Sequence, residues 1–245
     1  MYPAFGFSTT LTTRKRQAKS AAFSAHPVLN LSAALSDLAA SIPIHLLPGA
    51  TDPSGAILPQ QPLPRAMFGE ASRFSTFSCE TNPTYLKITN DVESGESETS
   101  GRKYTRNFLI NSGQPLDDMF RYLPTPPHTR LAILESTLRW RHMAPTAPDT
   151  LWCHPFSDGD PFLIPQTPDV YIVGGQKKFG TKLVVDREDG RRNGGIISRC
   201  RVITVPSFAT TGILVLVNLR TLAVKTVRLA VKGMTSGGEE VEMGA

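Results

Sequence analysis

Along this chain the apolar positions come in short bursts of two periods, broken by proline-rich stretches. Leu31, Leu35, Leu38 and Ile42 are spaced four, three and four apart, which predicts an amphipathic helix ended by Pro43. Ile44-His45-Leu46-Leu47 reads as a short buried strand running into Pro48-Gly49, a loop leaving the carboxyl end of a strand. α/β proteins place their sites on such loops. Six prolines from Pro43 to Pro64 predict a stiff irregular segment after it. Phe74–Cys79 and Thr84–Ile88 are expected to be strands around an Asn82-Pro83 turn, with a further strand over Asn107–Asn111. Leu116–Tyr122 predicts a short helix, and Thr129–Met143 the longest one, with Leu131, Leu134 and Leu138 inward. Asp169–Val173 reads as a buried strand ending at Gly174-Gly175, followed by β-rich runs over Arg201–Val205, Gly212–Asn218 and Val224–Val231. Thr89–Gly101 and Asp186–Gly195 are polar and expected to be mobile surface insertions. Helices early and midway with a strand-rich end predict a layered α/β sandwich.

The 245 residues suit one good-sized domain, and 40% hydrophobic with 19% charged residues is ordinary for a soluble globular chain. No run of 18 apolar residues occurs, so no transmembrane helix is expected. Cys79, Cys153 and Cys200 are too widely spaced for a zinc ribbon, and their odd number argues against a disulfide scaffold, pointing to an intracellular chain. The net charge of +5 is unevenly placed: Arg14, Lys15, Arg16 and Lys19 lie in an acid-free first 36 residues, leaving 22 basic against 21 acidic residues elsewhere. The folded body is then nearly neutral, unlike a nucleic-acid binder with a basic stripe. Residues 1–25 read as a disordered basic tail, fitting a nuclear localisation signal, a mitochondrial transit peptide or a tail without a role. Residues 233–245, with Glu239, Glu240 and Glu242, read as a flexible acidic tail.

Nucleophile-elbow, P-loop and dinucleotide-binding patterns are absent. Cys153 and His154 are sequence neighbours and are expected to point apart. The five histidines form no pair at metal-ligand spacing. His45 reads as a hydrogen-bonded core residue, and His142 as a partner for the negative end of the long helix.

The specific signal is a series of blocks. Gly49-Ala50-Thr51-Asp52-Pro53, Leu58-Pro59-Gln60-Gln61-Pro62 and Ala66-Met67-Phe68 lead it. Cys79-Glu80-Thr81-Asn82-Pro83, Ser112-Gly113-Gln114, Asp118-Met119-Phe120-Arg121-Tyr122 and Arg141-His142-Met143-Ala144-Pro145 follow. Asp160-Pro161-Phe162, Pro168-Asp169-Val170-Tyr171, Phe179-Gly180-Thr181-Lys182, Val205-Pro206-Ser207-Phe208 and Val217-Asn218-Leu219-Arg220 complete it. In this order the blocks resemble the small (B) subunits of the alpha, delta and epsilon replicative DNA polymerases, the delta branch and a fungal-looking wording matching best. The likeness runs over about residues 28 to 232, so residues 26–232 are expected to form one domain.

The resemblance implies an α/β, layered calcineurin-like phosphoesterase fold, inactivated and truncated at its N-terminal half. The family's oligonucleotide-binding domain and first-half aspartate loops have no counterpart here, as expected of a fragment or a truncated gene model. A missing half would leave sheet edges unpaired and an apolar face uncovered. Active phosphoesterases of this fold hold two metals on Asp, Asn and His ligands. Their Gly-Asn-His-Asp loop falls on Gly49, Ala50, Thr51 and Asp52, a central His on Ser112, and a final Gly-His-x-His on Gly174, Gly175, Gln176 and Lys177. Those side chains cannot replace imidazoles, so no metal or other cofactor is expected and no catalysis.

The implied function is a non-catalytic scaffold of the DNA polymerase delta complex in the nucleus. It would join the catalytic subunit's cysteine-rich C-terminal module to the other accessory subunits, with any DNA contact weak and indirect and no membrane contact. Phe156, Phe162, Leu163 and Ile164 are the candidate interface. The alternative is a metal-dependent phosphoesterase or nuclease of the same fold. A mitochondrial protein is a third reading, resting on the acid-free start.

Overall fold

The structure is a computed structural model, and it describes residues 26–89, 104–187 and 196–230. The basic and acidic tails, and most of both polar insertions, lie outside the described residues. The chain opens with helix α1 (His26–Ala39), strand β1 (Ile44–Leu46), a 3-10 segment over Arg65–Arg73, and β2 (Phe77–Cys79). Then follow β3 (Thr84–Thr89), β4 (Thr105–Asn111), α2 (Gln114–Met119), α3 (Arg130–Trp140) and β5 (Val170–Gln176). Strands β6 (Gly180–Arg187) and β7 (Ile196–Pro206), the single turn α4 (Phe208–Thr211), β8 (Ile213–Val217) and β9 (Val224–Arg228) complete it. Among the described residues, no helix is long and apolar enough to cross a membrane.

The centre is a five-stranded mixed sheet of order β3-β4-β5-β7-β6. Its three inner strands run parallel and both edge strands antiparallel. The β4-to-β5 crossover carries α2 and α3, which fits the α/β class. Alternation along the inner strands feeds two cores. Leu109, Tyr171, Val173, Cys200 and Val202 meet Leu116, Met119, Ile133, Leu134 and Leu138 of the helices on one face. On the other, Phe108, Val170 and Ile203 pack against Val215, Val217, Leu222 and Val224 of the β8–β9 hairpin. β1 and β2 form a separate parallel pair. Leu35, Ala39, Phe68, Ala71 and Phe77 pack there, with Phe68 and Phe77 edge to face at 5.4 Å.

Several sequence expectations are corrected. α1, with 14 residues, is longer than α3, with 11. The α3 pattern stops early because Arg141 caps it at φ 57, a left-handed conformation that ends the helical hydrogen bonding. α1 buries Ser32, Leu35 and Ala39, whereas Leu31, Leu38 and Ile42 stay about half exposed. The helix carries two apolar stripes, and the one with small residues wins because it lets the 3-10 segment approach, sealed by Ser32 Oγ donating to Phe68 O at 2.6 Å. Phe74 closes that 3-10 segment, so β2 starts only at Phe77. β2 and β3 join different sheets instead of pairing around Asn82-Pro83. β6 is absent from the sequence expectations, because Thr181, Lys182 and Asp186 mask the short apolar run Leu183-Val184-Val185. Asp186 and Arg187 lie in this strand, and Thr89 in β3, inside the stretches expected to be loops.

Candidate functional site

Three chain reversals follow the carboxyl ends of β1, β4 and β5, with the β4 turn in contact with each of the other two. The first leaves β1 through Pro48-Gly49. Asp52 folds back on this loop, its Oδ2 accepting from Gly49 N at 2.7 Å. Gln60, 1% exposed, donates from Nε2 to Gly49 O at 3.0 Å and to Gly55 O at 2.7 Å, fixing both sides of the turn. The second reversal ends β4 at Asn111-Ser112-Gly113. Ser112 N donates to Asn82 Oδ1 at 3.1 Å, and the Ser112 hydroxyl lies 2.9 Å from Pro48 O, tying the β1 and β4 loops together. The third ends β5 at Gly174-Gly175-Gln176.

Glycine is required where these turns touch. Gly113 has φ +101, and a Cβ there would lie 2.4 Å from Gly174 O and 2.5 Å from Gln176 Nε2. Gly175 has φ +64, and its Cβ would lie 2.8 Å from Ser112 O. Only a residue without Cβ permits both the left-handed backbone and the close approach.

An amide cluster fills the space between the loops. Gln60 Oε1 accepts from Asn82 Nδ2 at 2.6 Å and from Gln114 Nε2 at 3.0 Å. Gln60 and Asn82 also exchange backbone hydrogen bonds at 2.8 and 3.1 Å. Gln176, 2% exposed, donates to Gly174 O at 2.9 Å and accepts from Arg130 Nη1 at 2.5 Å. Asn82 is fully buried. The amides are themselves uncharged, and apart from the Arg130 guanidinium on Gln176 their partners are one another, Ser112 and backbone groups, so burying them is inexpensive.

The positions singled out from the sequence divide accordingly. Ser112 and Gly175 touch, and Ser112 joins the Gly49 loop through Pro48. Ala50, Thr51 and Asp52 lie exposed on that loop, and Lys177 is exposed beyond β5. Among the described residues, no group of three or more His, Cys, Asp or Glu is placed to hold a metal ion. Two metals would not fit the donors present: among Ala50, Thr51, Asp52, Ser112, Gly175 and Lys177 only Asp52 is a carboxylate, and the Gln60 Oε1 already accepts from two N–H donors. Gln60, Asn82 and Gln114 do not stand out as a group in the sequence. Their signal is nonetheless there, since all three lie in blocks that carry the resemblance and to which no chemistry is assigned.

The candidate interface is corrected. Phe162 and Ile164 are 2% and 1% exposed, within the main core, whereas Phe156 and Leu163 are 52% and 50% exposed. The segment runs extended against His142: Met143 N donates to Phe162 O at 2.9 Å and Ile164 N to Arg141 O at 2.8 Å. Side chains therefore alternate, 162 and 164 inward and 163 outward.

The histidines are corrected too. His142 Nε2 pairs with Asp160 Oδ2 at 2.7 Å instead of compensating the helix end. Burial pushes the Asp160 carboxyl up, but the Phe162 amide and His142 outweigh it and hold the carboxyl low. His45 faces outward and pairs with Glu80 at 2.8 Å, because Ile44 and Leu46 take the inward positions of β1. Burial pushes the Cys200 thiol up to about 12, an inert core cysteine.

The family model of the B subunits of DNA polymerases alpha and epsilon matches residues 6–181. The chain belongs to this family. It is 37% identical to the DNA polymerase delta small subunit of Oryza sativa over 82% of its length, covering 41% of that protein. Identity to the Arabidopsis thaliana delta small subunit is 40%, again over 82% of this chain and 40% of the relative. For the Saccharomyces cerevisiae delta small subunit it is 33%, over 80% of this chain and 41% of the relative. The chain thus spans about two fifths of the length of these curated relatives.

Proposed function

We propose that this chain is the C-terminal part of a non-catalytic scaffold subunit of nuclear DNA polymerase delta, built on an inactivated calcineurin-like phosphoesterase fold. The observation that carries this reading is the meeting of three strand-end loops around uncharged amides. The loops that hold metals in an active phosphoesterase correspond, by the family resemblance, to Ala50, Thr51, Asp52, Ser112, Gly175 and Lys177. Here the β1 and β4 turns are joined by Gln60, Asn82, Ser112 and Gln114 instead, and the β5 turn lies against the β4 turn at Gly113 and Gly175. The identity to delta small subunits over about four fifths of the chain supports the choice of complex.

In this role the chain joins the catalytic subunit's cysteine-rich C-terminal module to the other accessory subunits. DNA contact is secondary, since outside its first 36 residues the chain has 22 basic against 21 acidic residues. Phe156 and Leu163 are the apolar side chains of the 155–165 segment left free to meet a partner. The test has two arms. The subunit, extended to the length of its relatives, should release no product from a chromogenic phosphodiester or 3′-labelled single-stranded DNA with manganese. It should retain the catalytic subunit's C-terminal module in a pull-down, with retention reduced in Phe156→Ala and Leu163→Ala. Chelator-sensitive turnover that follows the protein through purification would refute the scaffold reading. Retention unchanged in both variants would remove this segment from the interface.

A further inference from the structure

The near balance of charge along the chain hides a local imbalance. Residues 42–64 and 142–168 contain Asp52, Asp149, Asp158 and Asp160 and no Lys or Arg, in a chain that has 26 of those cations. The two stretches meet. Leu58 N donates to Trp152 O at 2.9 Å and His154 N to Leu58 O at 2.8 Å, so Leu58 and Cys153 lie side by side as extended residues. Leu58 is buried in the main core, with Cys153 packed against that core. Alternation turns the flanking side chains outward. Ile57 is 40% and Trp152 69% exposed. His154 is exposed beside them, its ring edge to face with the half-exposed Phe156 at 6.4 Å. Trp152, His154 and Phe156 thus follow one another at a spacing of two on the outer side.

Residue type and rigidity mark this row as a contact surface. Tryptophan is highly buried on average in folded proteins, and it leads the residue types that carry binding energy at interfaces. The backbone beneath it is also constrained. Pro59, Pro148 and Pro155 fix φ around the bridge, and the Thr150 hydroxyl donates to the buried Asp118 carboxylate at 2.6 Å. The row is therefore preorganised, and little freedom is lost when a ligand covers it.

Charge selects the ligand. Asp149 precedes Trp152 by three residues and Asp158 follows Phe156 by two, and both are exposed. Among the described residues neither has a cationic partner, and Asp158 accepts from the Ser157 hydroxyl at 3.1 Å. Arg121, which shares Asp118 with Thr150, is taken up there in an ion pair at 3.0 Å. The rim is anionic, and an indole between carboxylates suits a guanidinium, which stacks on the ring and pairs with a carboxylate. The same carboxylates repel a phosphodiester backbone. We propose that the row from Trp152 to Phe156 is a docking surface for an arginine-bearing segment of a protein partner, one guanidinium on the Trp152 indole and neighbouring cations on Asp149 and Asp158. The proposal rests on the scaffold reading, which gives the chain protein partners, and adds the chemistry of the segment that docks.

The experiment titrates the 245-residue chain into a fluorescein-labelled peptide of alternating Gly and Arg and reads anisotropy. The peptide should bind, and its lysine counterpart of equal charge should bind about fivefold more weakly, because an ammonium has no plane to stack on the indole. Trp152→Ala and the pair Asp149→Asn/Asp158→Asn should each weaken arginine-peptide binding about fivefold. Tyr122→Ala, at an aromatic ring exposed elsewhere, should leave it unchanged, as should Glu239→Gln/Glu240→Gln/Glu242→Gln among the acids near the C-terminus. Trp152, Asp149, Asp158 and Tyr122 are all exposed, so circular dichroism should show their variants still folded. No binding, unchanged affinity in Trp152→Ala, or equal affinity for the arginine and lysine peptides overturns the proposal. So do two further results: a labelled DNA duplex that binds and is released by Trp152→Ala, or tenfold tighter peptide binding once residues 1–25 are removed. The first would make the ligand a nucleic acid, and the second would make it the chain's own Arg14, Lys15, Arg16 and Lys19. Each of those outcomes leaves the scaffold test above unaffected, because that test reads phosphodiester turnover and catalytic-subunit retention at Phe156 and Leu163.

Discussion

Phe162→Ala separates the core from the interface within three residues. The aromatic ring is 2% exposed and lies in the main cluster, 6.4 Å from the His142 ring. Its backbone bonds, Met143 N to Phe162 O at 2.9 Å and Phe162 N to Asp160 Oδ1 at 2.8 Å, do not involve the ring and survive truncation. The loss is thus the ring's burial plus the cavity left behind, about 3–5 kcal/mol for a Phe→Ala change in a close-packed core. For a domain of this size that corresponds to a fall in Tm of roughly 10 °C. Leu163→Ala removes a side chain that is half exposed and costs about 1 kcal/mol or less. Urea unfolding followed by far-ultraviolet circular dichroism is the suitable assay, since Trp140 and Trp152 are 57% and 69% exposed and report burial poorly. Equal destabilisation by the two substitutions would refute the alternation on which the corrected interface depends. The same comparison guards the pull-down: a binding defect in Phe162→Ala reports unfolding, and one in Leu163→Ala reports contact.

Gly113→Ala should destabilise by about 2–4 kcal/mol, combining left-handed strain with a Cβ 2.4 Å from Gly174 O, whereas Gly55→Ala, at φ +83 with open space around it, should cost only about 1 kcal/mol. Equal urea midpoints for the two variants would show that the β4 and β5 turns do not meet as described. Hydrogen bonds from Lys182 at 2.5 Å and Arg139 at 2.8 Å hold the Glu135 carboxyl below its ordinary value of 4.5. A depressed folded pKa stabilises above the unfolded value and is lost as pH falls through the folded one, so this contribution is present at pH 7 and fades below pH 4.5. Glu135→Gln should lower stability by about 0.5–1 kcal/mol at pH 7 and by less at pH 3.5, and an equal loss at both would contradict the assignment.

The layered α/β class was legible because periodicity reports burial, and β4, β5 and β7 sit in the middle of a sheet where both faces are covered. Edges were less legible. β6 has a covered face and an open one, so polar residues interrupt its run. α1 offered two plausible inward stripes, and periodicity alone could not know that Ser32 and Ala39 would be chosen for closeness over Leu31 and Leu38 for size. At the candidate site the sequence supplied positions, of which Ser112 and Gly175 meet in the structure. It did not supply the amide cluster: Gln60, Asn82 and Gln114 are separated by 22 and 32 residues, and amides carry no spacing signature of the kind metal ligands do.

On the scaffold reading, loops joined by amides have a mechanical consequence. Loops held by metal ions are ordered only to the extent that the metals are bound, because charged ligands left empty repel one another. Here the β1 and β4 turns are joined by bonds internal to the chain, through Gln60, Asn82, Ser112 and Gln114, and none of these groups titrates near neutral pH. The β5 turn is pressed against them by Gly113 and Gly175, where a larger residue has no room. The strand ends therefore keep one arrangement whatever the ionic conditions. An enzyme needs open coordination positions at such a place, whereas the groups that join these turns are neutral and bond to one another. A subunit whose task is to hold others at fixed separations gains from that arrangement, since its geometry does not depend on a dissociable cofactor.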